Sequence, residues 1–276
     1  MQPEPSAEIG TSYLVRHGAM RFMGEYHSSP GTAYRRTTQV VLRTERGQEL
    51  GEVLALATPE MIRALPEVTR GLILRAMTDD DRRKEESIRA RRGGIYDGAA
   101  RLIIEHRLPM QLVDVEQLFG GERVVFYFLA DKRVDFRELV KSMAREFQAR
   151  IELRQVGIRD EAKLLADYGD CGKPVCCNTH MSVMPPVSMR MAKLQKSTLD
   201  PAKISGRCGR LKCCLRFEQD VYEEFQKELP PVNTRVLTAK GQGRVVAQEI
   251  LARRLLVEFE DGRRLPVAVD EILTRL

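Results

Sequence analysis

Apolar residues in the first third of the chain recur in short runs that are typical of β-strands. Between Thr38 and Leu56, such runs flank the turn sequence Glu45-Arg46-Gly47-Gln48. The core candidates of these runs are Val40, Leu42, Leu50 and Val53. The pattern predicts a small N-terminal β domain over residues 11–78, preceded by a disordered tail at residues 1–10.

Residues 79–107 are highly charged and follow a helical period. The apolar stripe consists of Ile88, Ile95, Ala99, Leu102, Ile103 and His106. The interleaved charges from Asp79 to Glu86 are typical of a solvated helix face, and Gly93-Gly94 weakens the middle of the helix. We therefore predict a helix on which His106 is half-buried and is not a metal ligand.

Residues 108–169 predict a β-β-α-β unit, which implies a helix packed on a small mixed or antiparallel sheet. Met110–Phe119 and Val124–Leu129, joined by Gly120-Gly121, predict a hairpin. Asp135 is the candidate N-cap of the helix, and the predicted last strand runs from Ile151 to Ile158. The helix has the apolar face Val134, Leu139, Met143 and Phe147.

The aromatic run Phe126-Tyr127-Phe128 lies within the predicted hairpin. It lacks the Arg/Lys-Gly lead-in of an RNA-recognition strand, and in a strand its rings point to alternate faces. We therefore predict that the three rings belong to the core.

Residues 231–276 again show short, closely spaced apolar runs. They include Arg235-Val236-Leu237, a Gly241-Gln242-Gly243 turn, Leu255–Phe259 and a turn at Asp261-Gly262. This spacing predicts an SH3-like small barrel. The overall fold class is therefore predicted to be α+β.

Composition narrows the class of protein. The 276 residues are 43% hydrophobic, carry a formal charge of +6 and contain no Trp. No run of 18 apolar residues occurs, and the N-terminus does not resemble a signal peptide, so we expect a cytoplasmic protein without membrane insertion. The modest positive charge permits contact with RNA but does not demonstrate it.

All six cysteines fall into two copies of one pattern, Cys-Gly-x-x-x-Cys-Cys. The copies are Cys171–Cys177 and Cys208–Cys214, and each cysteine of the second follows its counterpart by 37 residues. The glycine lets the chain turn back tightly, so that two such loops can offer four thiolates to one metal centre. We therefore predict a cysteine metal module with its helix at residues 170–230.

The residues after the second loop suggest which four cysteines bind. One helical stripe contains Leu211, Cys214, Leu215, Val221, Tyr222, Phe225 and Leu229. Cys214, and Cys177 by analogy, would then be core residues that serve as reserve ligands. The first-choice ligands are Cys171, Cys176, Cys208 and Cys213.

Basic side chains close in sequence can offset the negative charge of a thiolate-bound metal. The candidates are Lys173, Arg207, Arg210, Lys212 and Arg216. This compensation favours neither iron nor zinc, and a Cys₄ zinc site that only holds the loops together fits the same spacing.

Other cysteine chemistries fit less well. Without an export signal the chain belongs in a reducing compartment, which disfavours disulfides. Neither copy has the two-residue spacing of a thioredoxin-like redox pair. His180 follows the first loop, but a single loop histidine is more often a surface residue than a ligand.

Several longer runs, together with both cysteine loops, resemble the YaaT/RicT family. These runs are Leu112–Glu116, Val134–Val140, Arg150–Lys163, Pro186–Lys193 and Lys203–Gly206. The resemblance extends from about Thr38 to the end and includes the polymerase-suppressor-type C-terminal domain. Mild departures occur at Tyr168-Gly169-Asp170, at Asn178-Thr179-His180 and in an Arg-rich N-terminal third.

The resemblance implies a cytoplasmic, non-enzymatic adaptor that joins two helical partners, of the YlbF and YmcA types, in a complex holding [4Fe–4S] clusters. Such a complex is linked to ribonuclease Y-dependent mRNA maturation and, in spore formers, to phosphorelay control of sporulation. All six cysteines carry over as candidate cluster ligands. The alternatives are a zinc-stapled RNA-binding or ribosome-associated module and a thiol-redox enzyme, although no paired carboxylates, nucleophile–base set or phosphate-binding loop stands out.

Overall fold

The structure is a computed structural model that describes residues 10–65, 67–165, 168–181 and 185–275. The chain forms two compact units, Met1–Val183 and Met184–Leu276. The predicted tail at residues 1–10 lies outside the described residues except for Gly10. Among the described residues, no helix is both long enough and apolar enough to cross a membrane.

The first unit begins with a closed five-stranded barrel. Its elements are β1 (Ser12–His17), β2 (Phe22–His27), β3 (Gln39–Thr44), β4 (Gly47–Leu56), the short helix α1 (Pro59–Arg63) and β5 (Thr69–Ala76). The strands pair in the order β1-β2-β5-β3-β4, and β4 pairs back onto β1. All neighbours are antiparallel except β2 and β5. The strands predicted between Thr38 and Leu56 are thus confirmed as β3 and β4.

The barrel interior confirms three of the four predicted core residues, Val40, Leu42 and Val53. Leu50 is only half-buried, so that prediction was wrong. Side chains alternate along a strand, and on β4 Glu49, Gly51 and Val53 are the buried positions. Glu49 therefore takes an interior position while Leu50 lies on the other face.

A polar network occupies part of this interior. His17 Nδ1 lies 3.0 Å from Glu49 Oε2, and His17 Nε2 lies 2.8 Å from the Tyr26 hydroxyl. Because a carboxylate only accepts, Nδ1 of His17 is the donor to Glu49. Burial acts to raise the pKa of Glu49, but the hydrogen bond and charge of His17 and the charge of Arg46 outweigh it, so the pKa is lowered. Burial raises the pKa of Tyr26 to about 12.

Helix α2 (Asp79–Glu105) confirms the helix predicted from the charged segment. Its first turn is closed by a capping box, in which Asp81 Oδ2 accepts from the Thr78 N–H at 2.9 Å and Thr78 Oγ1 accepts from the Asp81 N–H at 3.3 Å. Asp81 also pairs with Arg75 and is buried, so the expectation of a wholly solvated first turn was wrong at this residue. His106 is half-buried, as predicted, and its Nε2 lies 3.0 Å from Ser142 Oγ.

The predicted β-β-α-β order is confirmed. Its elements are β6 (Gln111–Gln117), β7 (Arg123–Leu129), α3 (Arg137–Phe147) and β8 (Arg150–Gln155). The sheet is mixed, because β6 and β7 are antiparallel whereas β7 and β8 are parallel. Phe126, Tyr127 and Phe128 are buried, as predicted. Phe126 shares a core cluster with Leu139 and Met143 of α3.

Two boundaries of this unit differ from the prediction. The N-cap of α3 is Phe136, which makes no side-chain capping hydrogen bond. Asp135, the predicted N-cap, lies one residue earlier, and its Oδ1 accepts from the Arg137 N–H at 3.2 Å. Strand β8 ends at Gln155, and Ile158 begins helix α4 (Ile158–Leu165) instead of ending the strand.

The second unit combines three helices with a five-stranded sheet. Its elements are α5 (Met189–Leu194), α6 (Pro201–Ile204), α7 (Cys214–Glu228), β9 (Arg235–Thr238), β10 (Gly241–Glu249), β11 (Arg254–Phe259), β12 (Arg264–Ala268) and β13 (Ile272–Arg275). The strand order is β12-β11-β10-β9-β13. Gly241 opens β10, so the turn lies at Ala239-Lys240 and the predicted Gly241–Gly243 turn was wrong. The hydrophobic core of this unit includes Val236, Val245, Leu255 and Val257, and Gln219 and Thr238 are buried polar residues of the same unit.

Candidate metal centre

The first cysteine loop is a tight turn closed by backbone hydrogen bonds. Tyr168 and Pro174 form an isolated β-bridge across its base. The Gly169 N–H donates to the Lys173 carbonyl at 2.8 Å, and the Gly172 N–H donates to the Gly169 carbonyl at 3.0 Å. A single 3₁₀ turn, Cys176–Asn178, follows the loop.

The second cysteine loop has the same backbone. Ser205 and Leu211 form the bridge at its base. The Gly206 N–H donates to the Arg210 carbonyl at 2.7 Å, and the Gly209 N–H donates to the Gly206 carbonyl at 2.9 Å. Each of these contacts lies 37 residues after its counterpart in the first loop, so the sequence repeat is also a structural repeat.

The glycine after the first cysteine of each loop explains this turn. Gly172 has a φ of 73° and Gly209 a φ of 72°. This left-handed region is strained for residues that carry a Cβ atom. Since no heavy atom would lie within 4 Å of a Cβ at either position, the glycines are required by backbone conformation and not by lack of space.

The six thiols differ in exposure. Cys171 is exposed and the other five are half-buried, and no disulfide joins any two of these six described residues. Burial, followed by the neighbouring Cys213 and Glu218, raises the pKa of Cys214. Cys214 is thus partly buried, which agrees with its position on the apolar helical stripe.

The stripe itself is only partly buried in the structure. Leu215 and Leu229 are buried, whereas Tyr222 and Phe225 are half-buried. Val221 is 44% exposed, so its assignment to the core was wrong.

Positive charge surrounds both loops. The predicted compensating residues Lys173 and Arg210 are exposed, and Lys212 is half-buried. Helix α7 begins at Cys214 with Cys213 as its N-cap and has no acidic residue in its first turn. The positive end of the helix dipole therefore favours negative charge at this loop.

Sequence reasoning missed Lys163, which approaches the first loop from α4. Burial lowers the pKa of Lys163, while the charges of Asp160 and of Cys177 act in the opposite direction. Helix α4 packs against the 3₁₀ turn that contains Cys177. Lys163 lies eight residues before Cys171, and only its place in the family-like run Arg150–Lys163 could have pointed to it.

The donor set fits a thiolate-bound metal, because six thiols in two matching loops are the ligand type of iron–sulfur clusters and of structural zinc. The first loop lies in the first unit and the second loop in the second unit, so the predicted module at residues 170–230 spans both. In the part of the chain that the structure describes, no three or more His, Cys, Asp or Glu side chains are grouped to hold a metal ion.

Two regions match protein-family models. Residues 71–156 match the PSP1 C-terminal conserved region, and residues 186–229 match the third domain of PSP1-like proteins. The first match covers all of α2 and the β6-β7-β8 sheet, and the second covers the second cysteine loop and α7. The sheet and the second loop thus define a PSP1-type protein.

Comparison with individual proteins identifies the family within this class. The stage 0 sporulation protein YaaT of Bacillus subtilis (strain 168) is 43% identical over 224 residues, which are 80% of this chain and 80% of that protein. An uncharacterised protein of Schizosaccharomyces pombe (strain 972) is 36% identical over 47 residues, which are 17% of this chain and 6% of that protein. No solved structure matches the chain significantly. The chain belongs to the YaaT/RicT family, which confirms the resemblance of its sequence.

Proposed function

We propose that this chain is a non-enzymatic regulatory adaptor that carries a [4Fe–4S] cluster on its cysteine loops. The observation that supports this most is that the two loops repeat one backbone turn, with the same hydrogen bonds and the same left-handed glycine. A repeated turn of this kind presents thiolates in matching geometry. The proposed ligands are Cys171, Cys176, Cys208 and Cys213, with Cys177 and Cys214 in reserve.

Basic residues of the chain stabilise the cluster in this proposal. A [4Fe–4S]²⁺ cluster with four thiolates carries about two negative charges. Lys163 and Lys173 lie with the first loop, and Arg210 and Lys212 with the second. When bound, the cluster would supply sensitivity to oxygen and iron.

The proposed partners are helical proteins of the YlbF and YmcA types. Through them the chain would modulate ribonuclease Y-dependent mRNA processing and, in spore formers, the phosphorelay that controls sporulation. Family membership supports this role, since the B. subtilis relative is described as a stage 0 sporulation protein.

We also propose that the C-terminal sheet is an SH3-like small barrel that contacts a partner or caps the unit. Its last strand, β13, pairs with its first strand, β9, and a 3₁₀ turn at Val269–Glu271 separates β12 from β13. Four strands in sequence order with the fifth returning to the first support this type of barrel.

The test is a comparison of metal-loaded and metal-free protein. The cores of the barrel, of the β6-β7-β8 sheet and of the C-terminal sheet contain no cysteine, so we expect circular dichroism to change little on metal removal. Binding to the two helical partners in a pull-down should be lost, because the binding energy of the metal appears as local folding energy of the loops. Equal partner binding by both forms would contradict the proposal, and global unfolding without metal would make the metal a general structural staple.

A further inference from the structure

Positive charge is concentrated in the second unit. Residues 184–276 hold 17 Lys or Arg and 12 Asp or Glu, whereas residues 1–183 hold 28 and 27. Within the second unit, residues 190–216 hold eight Lys or Arg and a single acid, Asp200. This segment therefore carries a formal charge of +7, which exceeds the +6 of the whole chain.

Most of these cations face solvent without a carboxylate partner. Five side chains are exposed and form no ion pair with any other described residue: Arg190, Lys193, Lys203, Arg207 and Arg210. We call these five residues the basic surface. The single acid, Asp200, is engaged as the N-cap of α6, where its Oδ1 accepts from the Ala202 N–H at 3.0 Å.

Helix α5 brings two of these cations to the start of α7. Arg190 and Lys193 are three residues apart in α5 and share one face of that helix. Just after α5, Gln195 Nε2 donates to the Leu215 carbonyl in the first turn of α7 at 2.5 Å.

The remaining three cations lie on α6 and on the second cysteine loop. Arg207 and Arg210 are held in one turn by the hydrogen bond from the Gly206 N–H to the Arg210 carbonyl. The Lys212 N–H donates to the Ile204 carbonyl at 2.9 Å, which joins the loop to the end of α6, where Lys203 lies. These contacts link the segments of the second unit that carry the basic surface.

A bound metal does not account for this much charge. A four-thiolate cluster would contribute about two negative charges, against the formal +7 of residues 190–216. Arg216 already pairs with Asp220 at 2.9 Å, so an excess of roughly four positive charges would remain after complete neutralisation of the cluster. The excess calls for a polyanionic ligand.

The side chains around the basic surface favour nucleic acid over an acidic protein. Protein interfaces are depleted in Lys and rely on large apolar anchors, whereas contacts to phosphate groups rely on Lys and Arg. Among described residues 189–217, three large apolar side chains are exposed, Met189, Leu199 and Phe217, against the five exposed cations. Phe217, in the first turn of α7, is 59% exposed and offers one ring on which an unpaired base can stack.

We infer that the basic surface binds the phosphate backbone of single-stranded RNA. This goes beyond the proposed function, because an adaptor between proteins need not contact RNA itself. It also holds whether the cysteine loops carry iron or zinc, since none of the five cations is a metal ligand.

The experiment measures binding of a fluorescent, single-stranded RNA of about 20 nucleotides to the metal-loaded full chain by anisotropy. With five phosphate contacts, we expect the affinity to fall roughly 100-fold between 50 and 200 mM KCl. Arg190→Ala/Lys193→Ala/Lys203→Ala should weaken binding at least about tenfold at low salt and reduce the logarithmic salt slope by about two. None of these three residues is a proposed metal ligand or lies within a cysteine loop, so metal content should not change.

Two variants provide the controls. Arg190→Lys/Lys193→Arg/Lys203→Arg keeps the charges and should retain binding, which separates loss of charge from loss of fold. Arg35→Ala/Arg36→Ala/Arg43→Ala removes three exposed arginines of the first unit and should bind like the unmodified chain. Equal weakening in this variant would show that only net charge matters and would overturn the inference. So would a poly-glutamate chain that displaces the RNA as well as unlabelled RNA does, because the surface would then be a docking site for an acidic protein.

Discussion

The two cysteine loops share one backbone but stand in different surroundings. The first loop lies in a unit with nearly balanced charge, continues into a single 3₁₀ turn and is approached by Lys163. The second loop lies within the most basic segment of the chain and continues into a 15-residue helix. The same hydrogen bonds and the same φ values nevertheless recur in both.

This difference shows which features are local and which are added by each unit. The turn is determined by its glycine and its two closing hydrogen bonds, because it forms in the same way next to a short turn and next to a long helix. We therefore assign the shared turn to the proposed metal binding. The surroundings differ, with the half-buried cation Lys163 beside the first loop and the proposed RNA-binding surface around the second.

The largest expected effect comes from replacing the first cysteine of either loop. Because the loops are equivalent, Cys171→Ser and Cys208→Ser should each reduce metal loading to below about one tenth. Cys177→Ser and Cys214→Ser should retain roughly half or more, since the helical stripe places Cys214, and by analogy Cys177, among packing residues. Metal analysis after anaerobic reconstitution measures this, and equal loss at all six cysteines would contradict the division between ligands and packing residues.

A second difference between the units concerns their cores, and it has a consequence at high pH. Tyr26 is fully buried in the first unit, and its pKa is raised to about 12. The unfolded state loses this proton near pH 10 while the folded state keeps it. The stabilisation is therefore complete below about pH 10 and is lost as the pH rises towards 12, by up to about 2–3 kcal/mol.

Urea unfolding at several values of pH, followed by circular dichroism, measures this loss. Tyr26→Phe has no ionisable phenol, so its free energy of unfolding should depend less steeply on pH between 10 and 12. The same slope in both proteins would show that the buried network of the barrel does not hold this proton.

A smaller effect tests whether the loops are equivalent. Gly172→Ala and Gly209→Ala should each cost about 1 kcal/mol through strain at positive φ, which lowers metal affinity roughly fivefold. Gly31 has a φ of 76° and equally open space, but it lies in the connection between β2 and β3, so Gly31→Ala is a matched control that should leave metal affinity unchanged. Chelator competition measures the affinity, and unequal losses at the two loop glycines would mean that the loops serve different roles.

Much of the fold could be predicted because local patterns decide it. The β-β-α-β order and the helix from Asp79 follow from apolar periodicity, which the tertiary structure leaves intact. The errors arise where a neighbour overrides a local preference. On β4 the side chain of Glu49, not that of Leu50, faces the barrel interior, where His17 of β1 stabilises it by a hydrogen bond.

The two cysteine loops of the candidate site could be predicted from the sequence, whereas their surroundings could not. Six cysteines at a repeat of 37 residues identify both loops without any structure. Lys163 could not be assigned in this way, because its approach to Cys177 depends on how α4 packs against the turn. The sequence alone showed only a modest positive net charge. The division of the chain into two units then showed that most of this charge belongs to the second unit.

The central claim, that the cysteine loops carry an iron–sulfur cluster, is tested most directly by anaerobic purification of the full chain, alone and with its partners. The measurement is an absorption spectrum together with iron, acid-labile sulfide and zinc analysis. We expect a brown protein with broad absorption near roughly 400 nm and comparable amounts of iron and sulfide, as thiolate-bound clusters give. Stoichiometric zinc in a colourless protein, without iron or sulfide, would contradict the claim, because Zn²⁺ is d¹⁰ and does not absorb there.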